Sequence, residues 1–307
     1  MAEGSSGSGI VATGLARSFG PVQAVRDVSF EARPGEITAL IGPNGSGKTT
    51  LLLMLATLLE PEHGEIRIAG HDPVSDPLAV RRVIGWMPDV LGAWAALTVR
   101  ATLELTGRLY GIPKAAAADR AAELIELVDL VPLADRPTRV LSRGQKQRLS
   151  LARALVHAPE VLLLDEPASG LDPAARVALR KLLRQLADGG RTILVSSHVL
   201  AELEEMADAA VYLEEGTTAS AERIAAARAA GREWRIRSLD AEALRTALGA
   251  EAARWDGADA IVAPKDDRAA AGLLARLVAD GVPVIAFAPA VGDLEQTFLG
   301  LSTETPS

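Results

Sequence analysis

The feature that most constrains this chain is a glycine-rich loop between an apolar strand pattern and a helical pattern. Residues 36–41 predict a strand, and residues 51–59 predict a helix that stops before Pro61. The loop between them carries glycines at 42, 45 and 47, directly before Lys48. Glycines let consecutive backbone N–H groups face an anion, and the N-terminus of the next helix adds its positive dipole end. The sequence therefore predicts a phosphate-binding loop.

The side chains of this loop suit a nucleoside triphosphate. The spacing Gly42-x-x-x-x-Gly47-Lys48-Thr49 fits the phosphate-loop motif at every required position. Lys48 can reach the β- and γ-phosphates, and Thr49 offers a hydroxyl group to Mg²⁺. The nucleotide-binding residues predicted here are Gly42, Pro43, Asn44, Gly45, Ser46, Gly47, Lys48, Thr49 and Thr50.

A second strand pattern ends in two acids. Residues 161–164 are apolar and are followed by Asp165 and Glu166. Phosphoryl transfer depends mostly on positioning and charge. We therefore predict that Asp165 holds Mg²⁺ through water and that Glu166 orients and polarises the attacking water. The alternative, a strand that simply meets solvent, explains one acid better than two.

Residues 141–145, Leu-Ser-Arg-Gly-Gln, precede a helical pattern with apolar groups at 149, 152, 155 and 156. Ser142 and Gly144 then lie at the helix start, where free N–H groups and the positive dipole end attract an anion. Alone, this segment would be an ordinary N-capped helix. Its place 20 residues before the acidic pair favours an anion site.

The chain is expected to form two domains, because it has 307 residues and a single core seldom grows beyond about 250–300. Strand patterns at 10–15 and 25–30, with a turn at Gly20-Pro21, predict an antiparallel β subdomain. Alternating strands and helices predict an α/β core with a parallel sheet and a helical insertion. The predicted boundaries are a flexible tail at 1–9, the ATPase-type domain at 10–216 with its insertion at about 90–156, a helical connector at 217–230, a small α+β domain at 231–300 and a tail at 301–307. The order β-α-β-β-α-β in 231–300 favours a ferredoxin-like arrangement.

Composition narrows the functional classes. The net charge is −8, which argues against nucleic acid as a partner because phosphate-backbone binding needs a basic face. There is no cysteine, so disulfides and thiol chemistry are excluded. No apolar stretch approaches the roughly 18–20 residues of a membrane-spanning helix, and residues 1–9 lack the pattern of a signal peptide. We expect a chain that is soluble on its own.

Taken together, the phosphate loop, residues 141–145, Asp165-Glu166, the segment 169–172 and His198 resemble an ABC-type ATPase in order and spacing. The resemblance covers roughly residues 10–216. It implies a head-to-tail dimer with two ATP molecules at the interface, each between the phosphate loop of one subunit and the signature segment of the other. The residues it assigns to ATP bound by the partner are Ser142, Gly144 and Gln145. It also places Asp172 in the loop that communicates across the dimer and His198 against the γ-phosphate.

Three further positions follow from the resemblance. Phe19 stands where the family places an aromatic ring against adenine, with core packing as the alternative. Asp89 replaces the usual glutamine; it can ligate Mg²⁺ through oxygen, but it adds negative charge and cannot donate hydrogen bonds while ionised. Arg143 replaces the first glycine of the signature, where it either points to solvent, the favoured interpretation, or adds charge near the neighbour's γ-phosphate.

The resemblance implies the ATP-hydrolysing subunit of a membrane transporter, with ATP and Mg²⁺ as cofactors. Its partners would be a separate membrane-spanning subunit, with 88–97 as a docking surface, and a second ATPase subunit, favoured to be a copy of this chain. The C-terminal domain looks like that of two-component bacterial exporters, which favours export and a cytoplasmic location on the inner face of the membrane. Alternatives are a soluble non-transport ABC protein, such as a cofactor-assembly factor, and a non-hydrolysing sensor, which the presence of Lys48 and Glu166 disfavours.

Overall fold

The computed structural model describes residues 9–90, 92, 94–229, 232–252 and 254–303. The chain divides into two compact units, Met1–Thr218 and Ala219–Ser307. The division falls two residues after the boundary predicted at 216. A helix at Ala221–Ala229, within the segment predicted as a connector, belongs to the second unit. Of the predicted tails, residues 1–8 and 304–307 lie outside the described residues, whereas 301–303 complete a helix.

The described part of the first unit contains nine strands and seven α-helices. The strands are β1 (Ile10–Phe19), β2 (Val22–Ala32), β3 (Ile37–Ile41), β4 (His63–Ile68), β5 (Ile84–Met87), β6 (Val161–Asp165), β7 (Thr192–Ser196), β8 (Ala209–Glu214) and β9 (Thr217–Thr218). The helices are α1 (Lys48–Leu55), α2 (Pro77–Val83), α3 (Val99–Leu109), α4 (Lys114–Leu127), α5 (Arg143–Leu155), α6 (Pro173–Asp188) and α7 (Leu200–Glu204). Of these, α2, α7, β8 and β9 were not predicted from the sequence, and β9 shows that the predicted helical connector is wrong at 217–218.

The strands form one sheet in the order β4-β1-β2-β9-β8-β3-β7-β6-β5. Strands β1, β2 and β4 are antiparallel, and β8, β3, β7, β6 and β5 are parallel, which confirms the predicted combination. Every residue of β3, β6 and β7 is buried, so these strands read as continuous apolar runs. The carboxyl ends of β5, β6, β7 and β3 therefore share one edge of the sheet.

The helical insertion is formed by α3, α4 and α5, with one-turn 3₁₀ helices at Val131–Leu133 and Thr138–Val140. Thr98 caps α3, since its side chain accepts a hydrogen bond from the Ala101 N–H at 3.1 Å. The apolar side chains predicted to face inward from α5, at 149, 152, 155 and 156, are all buried. The helix predicted over 51–59 is shorter. It ends at Leu55 because Thr57 takes a left-handed φ of 61°, which stops the α-helical ladder.

The second unit contains a four-stranded antiparallel sheet. Its elements are α8 (Ala221–Ala229), β10 (Trp234–Ser238), α9 (Ala241–Leu248), β11 (Arg254–Asp256), β12 (Asp259–Val262), α10 (Asp267–Ala279), β13 (Val284–Pro289) and α11 (Asp293–Thr303), with a 3₁₀ turn at Gly249–Glu251. The sheet order is β11-β12-β10-β13. From β10 to β13 the elements follow the predicted β-α-β-β-α-β order, and the sheet has the ferredoxin-like arrangement. Its core is aliphatic and includes Ile236, Leu244, Val262 and Leu277.

No helix among the residues described in these two units is both long enough and apolar enough to cross a membrane.

Candidate nucleotide site

The predicted phosphate loop connects β3 to α1, as the sequence pattern requires. Gly47 has a φ of 98°, and a Cβ at this position would collide with the Ala24 carbonyl oxygen. A Cβ at Gly42 would collide with Ser46 Oγ and lie 2.5 Å from the Leu213 carbonyl oxygen. Both glycines are therefore required, one by conformation and both by close packing. The resulting turn delivers the following N–H groups to the start of α1.

Lys48 is held over this loop by the loop itself. Its Nζ donates hydrogen bonds to the carbonyl oxygens of Gly42, at 2.6 Å, and Pro43, at 3.0 Å. Burial lowers the pKa of the Lys48 ammonium, while the charges of Glu166 and Asp165 act against that shift. The two acids at the end of β6 therefore lie close enough to the Lys48 ammonium to affect its pKa.

Ser46 supplies the test of whether the loop fits a phosphate. Its side chain is buried, and among the residues that the structure describes its Oγ has no hydrogen-bond partner. Buried hydroxyl groups are normally hydrogen-bonded. A phosphate oxygen would supply an acceptor for Ser46 and a charged partner for Lys48. The loop residues therefore fit a nucleotide phosphate.

Asp165 lies at the carboxyl end of β6 and is buried. The Ser196 hydroxyl donates to its Oδ1 at 2.5 Å. Burial raises the pKa of the Asp165 carboxyl, the bond from Ser196 acts against this, and the charge of Asp89 raises it further. Asp89, two residues after β5, is exposed. The structure thus brings Asp89 and Asp165 together, as two of the three predicted metal-ligating residues.

Across the described residues, no group of three or more His, Asp or Glu side chains could by itself hold a metal ion. Mg²⁺ usually keeps several waters and takes one or two carboxylates plus the phosphates of a substrate. The Asp165 carboxylate and the exposed Thr49, second residue of α1, provide donors of that kind. The residues present therefore fit a Mg²⁺ that a nucleotide helps to bind, and not an all-protein metal cage.

Glu166 follows β6 in a left-handed conformation with a φ of 54°. Its carboxylate Oε2 lies 2.7 Å from Nδ1 of His198, so this nitrogen donates the bond when Glu166 is ionised. Burial raises the pKa of Glu166, and the bond from His198 acts against that shift. The result is a carboxylate more basic than usual beside the phosphate loop, as a group that polarises water requires.

The signature segment forms the N-terminus of α5, with Ser142 as its cap. The Gln145 N–H donates to Ser142 Oγ at 3.3 Å, and the Ser142 N–H donates to Gln145 Oε1 at 2.9 Å, forming a capping box. Gly144 packs closely on the loop that follows Glu166, since a Cβ there would lie 3.1 Å from the Gly170 carbonyl oxygen. The ordinary capping interpretation and the predicted helix terminus are therefore both correct. The predicted contact with a partner's ATP stays a prediction.

Arg143 is exposed but does not point freely into solvent. Its guanidinium donates to Ser169 Oγ at 2.8 Å, and its stem lies over Gly170, where a Cβ would be 2.9 Å from Arg143 Cδ. Gly170 has a φ of 74°, so both the conformation and the arginine favour glycine there. The unusual arginine of the signature thus fastens α5 to the loop 169–172 of its own chain.

The two remaining predicted residues, Asp172 and Phe19, lie in different environments. Asp172 caps α6, where its Oδ1 accepts a hydrogen bond from the Ala175 N–H at 2.9 Å. Phe19 is 48% exposed at the end of β1, and the Arg17 guanidinium lies 5.4 Å from its ring centroid. The core-packing alternative for Phe19 is wrong, because a ring half open to solvent does not fill a core.

Two residues that organise the site, Ser196 and Gln147, were not predicted from the sequence. Ser196 ends β7 and holds Asp165. Gln147 is buried on α5, and its Nε2 donates to the Glu166 carbonyl oxygen at 2.6 Å. A signal for Gln147 existed, since it stands four and seven residues before the buried Leu151 and Ala154 and so is a polar residue on the inward face of the helix.

A cavity of about 330 Å³ is lined in part by Gln147. Its lining comes from the end of α4, from α5, from α6 and from Pro167 and Leu171. It contains no residue of the phosphate loop, so it is not the nucleotide site.

These features define a phosphate-loop nucleotide-binding protein with an acidic pair at the end of the adjacent buried strand. Comparison with known proteins specifies the family. The model of the ABC transporter family matches residues 25–169. The doxorubicin resistance ATP-binding protein DrrA of Mycobacterium tuberculosis is 39% identical over 67% of this chain and 63% of its own length. The ABC transporter ATP-binding protein NatA of Bacillus subtilis is 36% identical over 64% of this chain and 80% of its own length.

Solved structures agree with this result. The dimeric structure of a bacterial ABC transporter cassette has a TM-score of 0.65 and 26% identity, covering 69% of this chain and 97% of that one. The chain belongs to the ABC transporter family. It spans less than two thirds of the length of DrrA, so the similarity to that relative concerns one part of it.

Proposed function

We propose that this chain is the ATP-binding and ATP-hydrolysing subunit of a bacterial ABC transporter. The observation that carries the proposal is the meeting, at one edge of the sheet, of the Lys48 ammonium, the Asp165 carboxylate and the Glu166–His198 pair. Phosphoryl transfer needs a cation on the phosphates, a metal-holding acid and a group that orients water. One residue is present for each of these tasks.

Each residue has a task in the proposed reaction. Lys48, the loop N–H groups and Ser46 bind the phosphates, and Phe19 stacks on the adenine. Thr49 and Asp165 hold Mg²⁺, with Asp89 as a further ligand; the ion, when bound, neutralises charge that develops on the phosphates. Glu166 orients and polarises the attacking water. His198 holds the Glu166 carboxylate and contacts the γ-phosphate.

The second half of each site is proposed to come from a second copy of the chain. The N-terminus of α5 presents the N–H groups of an anion-binding helix end, with Ser142, Gly144 and Gln145 on its first turn. A similar cassette has a dimeric structure. In this arrangement the first turn of α5 binds the γ-phosphate held by the partner, and Asp172 lies in the loop that passes between the two sites.

Transport is proposed through a separate membrane-spanning subunit. Similar proteins carry names for drug resistance and for export of Nod factor, which favours outward transport. The chain would then work on the cytoplasmic, inner face of the membrane. Residues 88–97 are the proposed docking surface, of which 91 and 93 lie outside the described residues. Trp94, whose side chain is 42% exposed, is a large apolar residue within this surface.

The experiment compares Glu166→Gln and Lys48→Ala in purified protein. Glu166→Gln keeps the shape of the site but cannot accept a proton, so it should bind ATP, lose hydrolysis and accumulate as an ATP-bound dimer in size-exclusion chromatography. Lys48→Ala removes the cation at the phosphates and should weaken ATP binding itself. Normal hydrolysis by Glu166→Gln, or unchanged ATP affinity of Lys48→Ala, would contradict the proposal.

A further inference from the structure

Gln147 is a buried residue that the proposed chemistry does not use. Its side chain is 2% exposed, and its Nε2 donates to the main-chain carbonyl oxygen of Glu166 at 2.6 Å. It lies on α5, five residues after the Ser142 cap. A buried amide is expected to satisfy its hydrogen bonds. Here the partner is the backbone of the residue proposed to polarise water.

The backbone of Glu166 needs such support. Its φ of 54° is a conformation that residues with a Cβ adopt only when the surroundings hold them there. Two main-chain bonds contribute, from the Glu166 N–H to the Ser196 carbonyl and from the Ser169 N–H to the Glu166 carbonyl, both at 3.1 Å. Within the described residues, a side chain contributes only one of the main-chain hydrogen bonds of Glu166. That side chain is Gln147, which lies on α5.

Gln147 therefore connects two regions with different proposed partners. The first turn of α5 is proposed to contact ATP held by the second chain, while Glu166 acts on ATP held by its own phosphate loop. A second link runs in parallel, since Arg143 donates to Ser169, three residues after Glu166. A shift of α5 moves the donor that holds the Glu166 carbonyl, because a helix moves as a unit through its own hydrogen bonds.

We infer that Gln147 is a positioning residue for Glu166, which sets the carboxylate for hydrolysis in one site according to whether α5 of the same chain is seated on the ATP of the other site. This inference rests on the proposed function and adds to it a coupling between the two sites of the dimer. Removing the Gln147 donor should leave nucleotide binding intact and impair hydrolysis.

The first test is Gln147→Met, which keeps the length of the side chain and removes the donor. A displacement of about 1 Å in a catalytic group can cost on the order of a hundredfold in rate. We expect kcat for ATP to fall at least about tenfold, while KM stays within about threefold. In a Glu166→Gln background, the ATP-bound dimer should form as readily with the Gln147→Met substitution as without it. The matched control is Ser150→Ala, which alters another buried polar residue of α5; its kcat should match the wild type.

The second test is Gln147→Glu, which distinguishes positioning from simple packing. The ionised carboxylate has no donor and repels the Glu166 carbonyl oxygen, whereas the protonated acid donates an O–H group to it. The ratio of the variant's kcat to that of the wild type should therefore rise as the pH is lowered from about 8 to about 6, since burial favours the protonated form. A purely structural role for Gln147 predicts that Tm and ATP affinity change with pH together with kcat, whereas positioning predicts a change in kcat alone.

The possible results distinguish a failure of this inference from a failure of the proposed function. Wild-type kcat in Gln147→Met, an equal loss in Ser150→Ala, or a flat pH ratio in Gln147→Glu would overturn the inference and leave the proposed function standing. A wild-type chain that binds ATP without hydrolysing it would instead contradict the proposed function.

Discussion

Glu166 owes its chemistry to its environment more than to its residue type. The carboxylate is withdrawn from solvent beside Asp165, and burial raises its pKa, while the hydrogen bond from His198 opposes the shift. A carboxylate of raised pKa accepts a proton more readily, but it also becomes protonated at a higher pH than an exposed glutamate. Hydrolysis should therefore fail on the acid side at a pH above the ordinary glutamate value of 4.5.

Removing His198 should move that acid limb further. In His198→Ala the Glu166 carboxylate loses the bond that stabilises its charge, so its pKa rises. The limb should shift upward by on the order of half a pH unit, a modest effect because the side chain of His198 is 65% exposed. The measurement is the pH dependence of kcat for ATP, with the exposed His63→Ala as the control. An unmoved limb would show that His198 does not act on Glu166.

At the scale of elements, a single ion cluster organises the sheet of the second unit. Asp259 begins β12 and is nearly buried; it accepts two bonds from Arg237, at 2.8 and 2.9 Å, and one from Arg235 at 3.1 Å. The bonds from Arg237 are the main cause that lowers the pKa of Asp259 to about 2, from 3.8. The stabilisation is thus complete above the unfolded value and is lost as the pH falls towards about 2.

Asp259→Asn should therefore lower the Tm of the second unit at pH 7 and have a smaller effect near pH 3. The amide cannot pair with both guanidinium groups. Near pH 3 the Asp259 carboxyl is mostly protonated in the unfolded chain and still mostly ionised in the native one, so part of the wild-type stabilisation is already lost. Thermal unfolding of the full chain at both pH values measures this, with the exposed Asp280→Asn as the control. Equal losses of Tm at the two pH values, or an equal loss in the control, would contradict the assignment.

Some elements of the fold could be predicted from the sequence, and others could not. The phosphate loop, α5 and the acidic strand end were predictable because each has a local pattern of spacing or capping. The end of α1 was not, since the left-handed Thr57 leaves no mark in the apolar pattern. Nor was the link between Arg143 and Ser169, because it depends on tertiary packing of α5 against a loop 26 residues away. Pairings between distant segments are set by the fold and not by local propensity.

At the scale of the whole molecule, each active site is proposed to be built from two chains. Lys48 and Glu166 belong to one half, and the first turn of α5 to the other. In the proposed arrangement a chain damaged in its phosphate loop still has an intact α5 to offer, and a chain damaged in α5 still has an intact phosphate loop. The two defects should therefore complement each other when the chains are mixed.

The most direct measurement is the ATPase rate of a 1:1 mixture of Lys48→Ala and Ser142→Glu chains, since Ser142 is exposed on the first turn of α5. Each variant alone should be inactive, because one lacks the phosphate cation and the other places a carboxylate against the partner's γ-phosphate. About half of the dimers are mixed, and each has one intact site of two, which sets a ceiling of about a quarter of the wild-type rate. The mixture should recover part of that activity and stay below the ceiling, because Glu166 of the intact site belongs to the chain whose own α5 is not seated on ATP. A mixture no more active than its two components, at concentrations where the wild type hydrolyses ATP, would contradict the shared site.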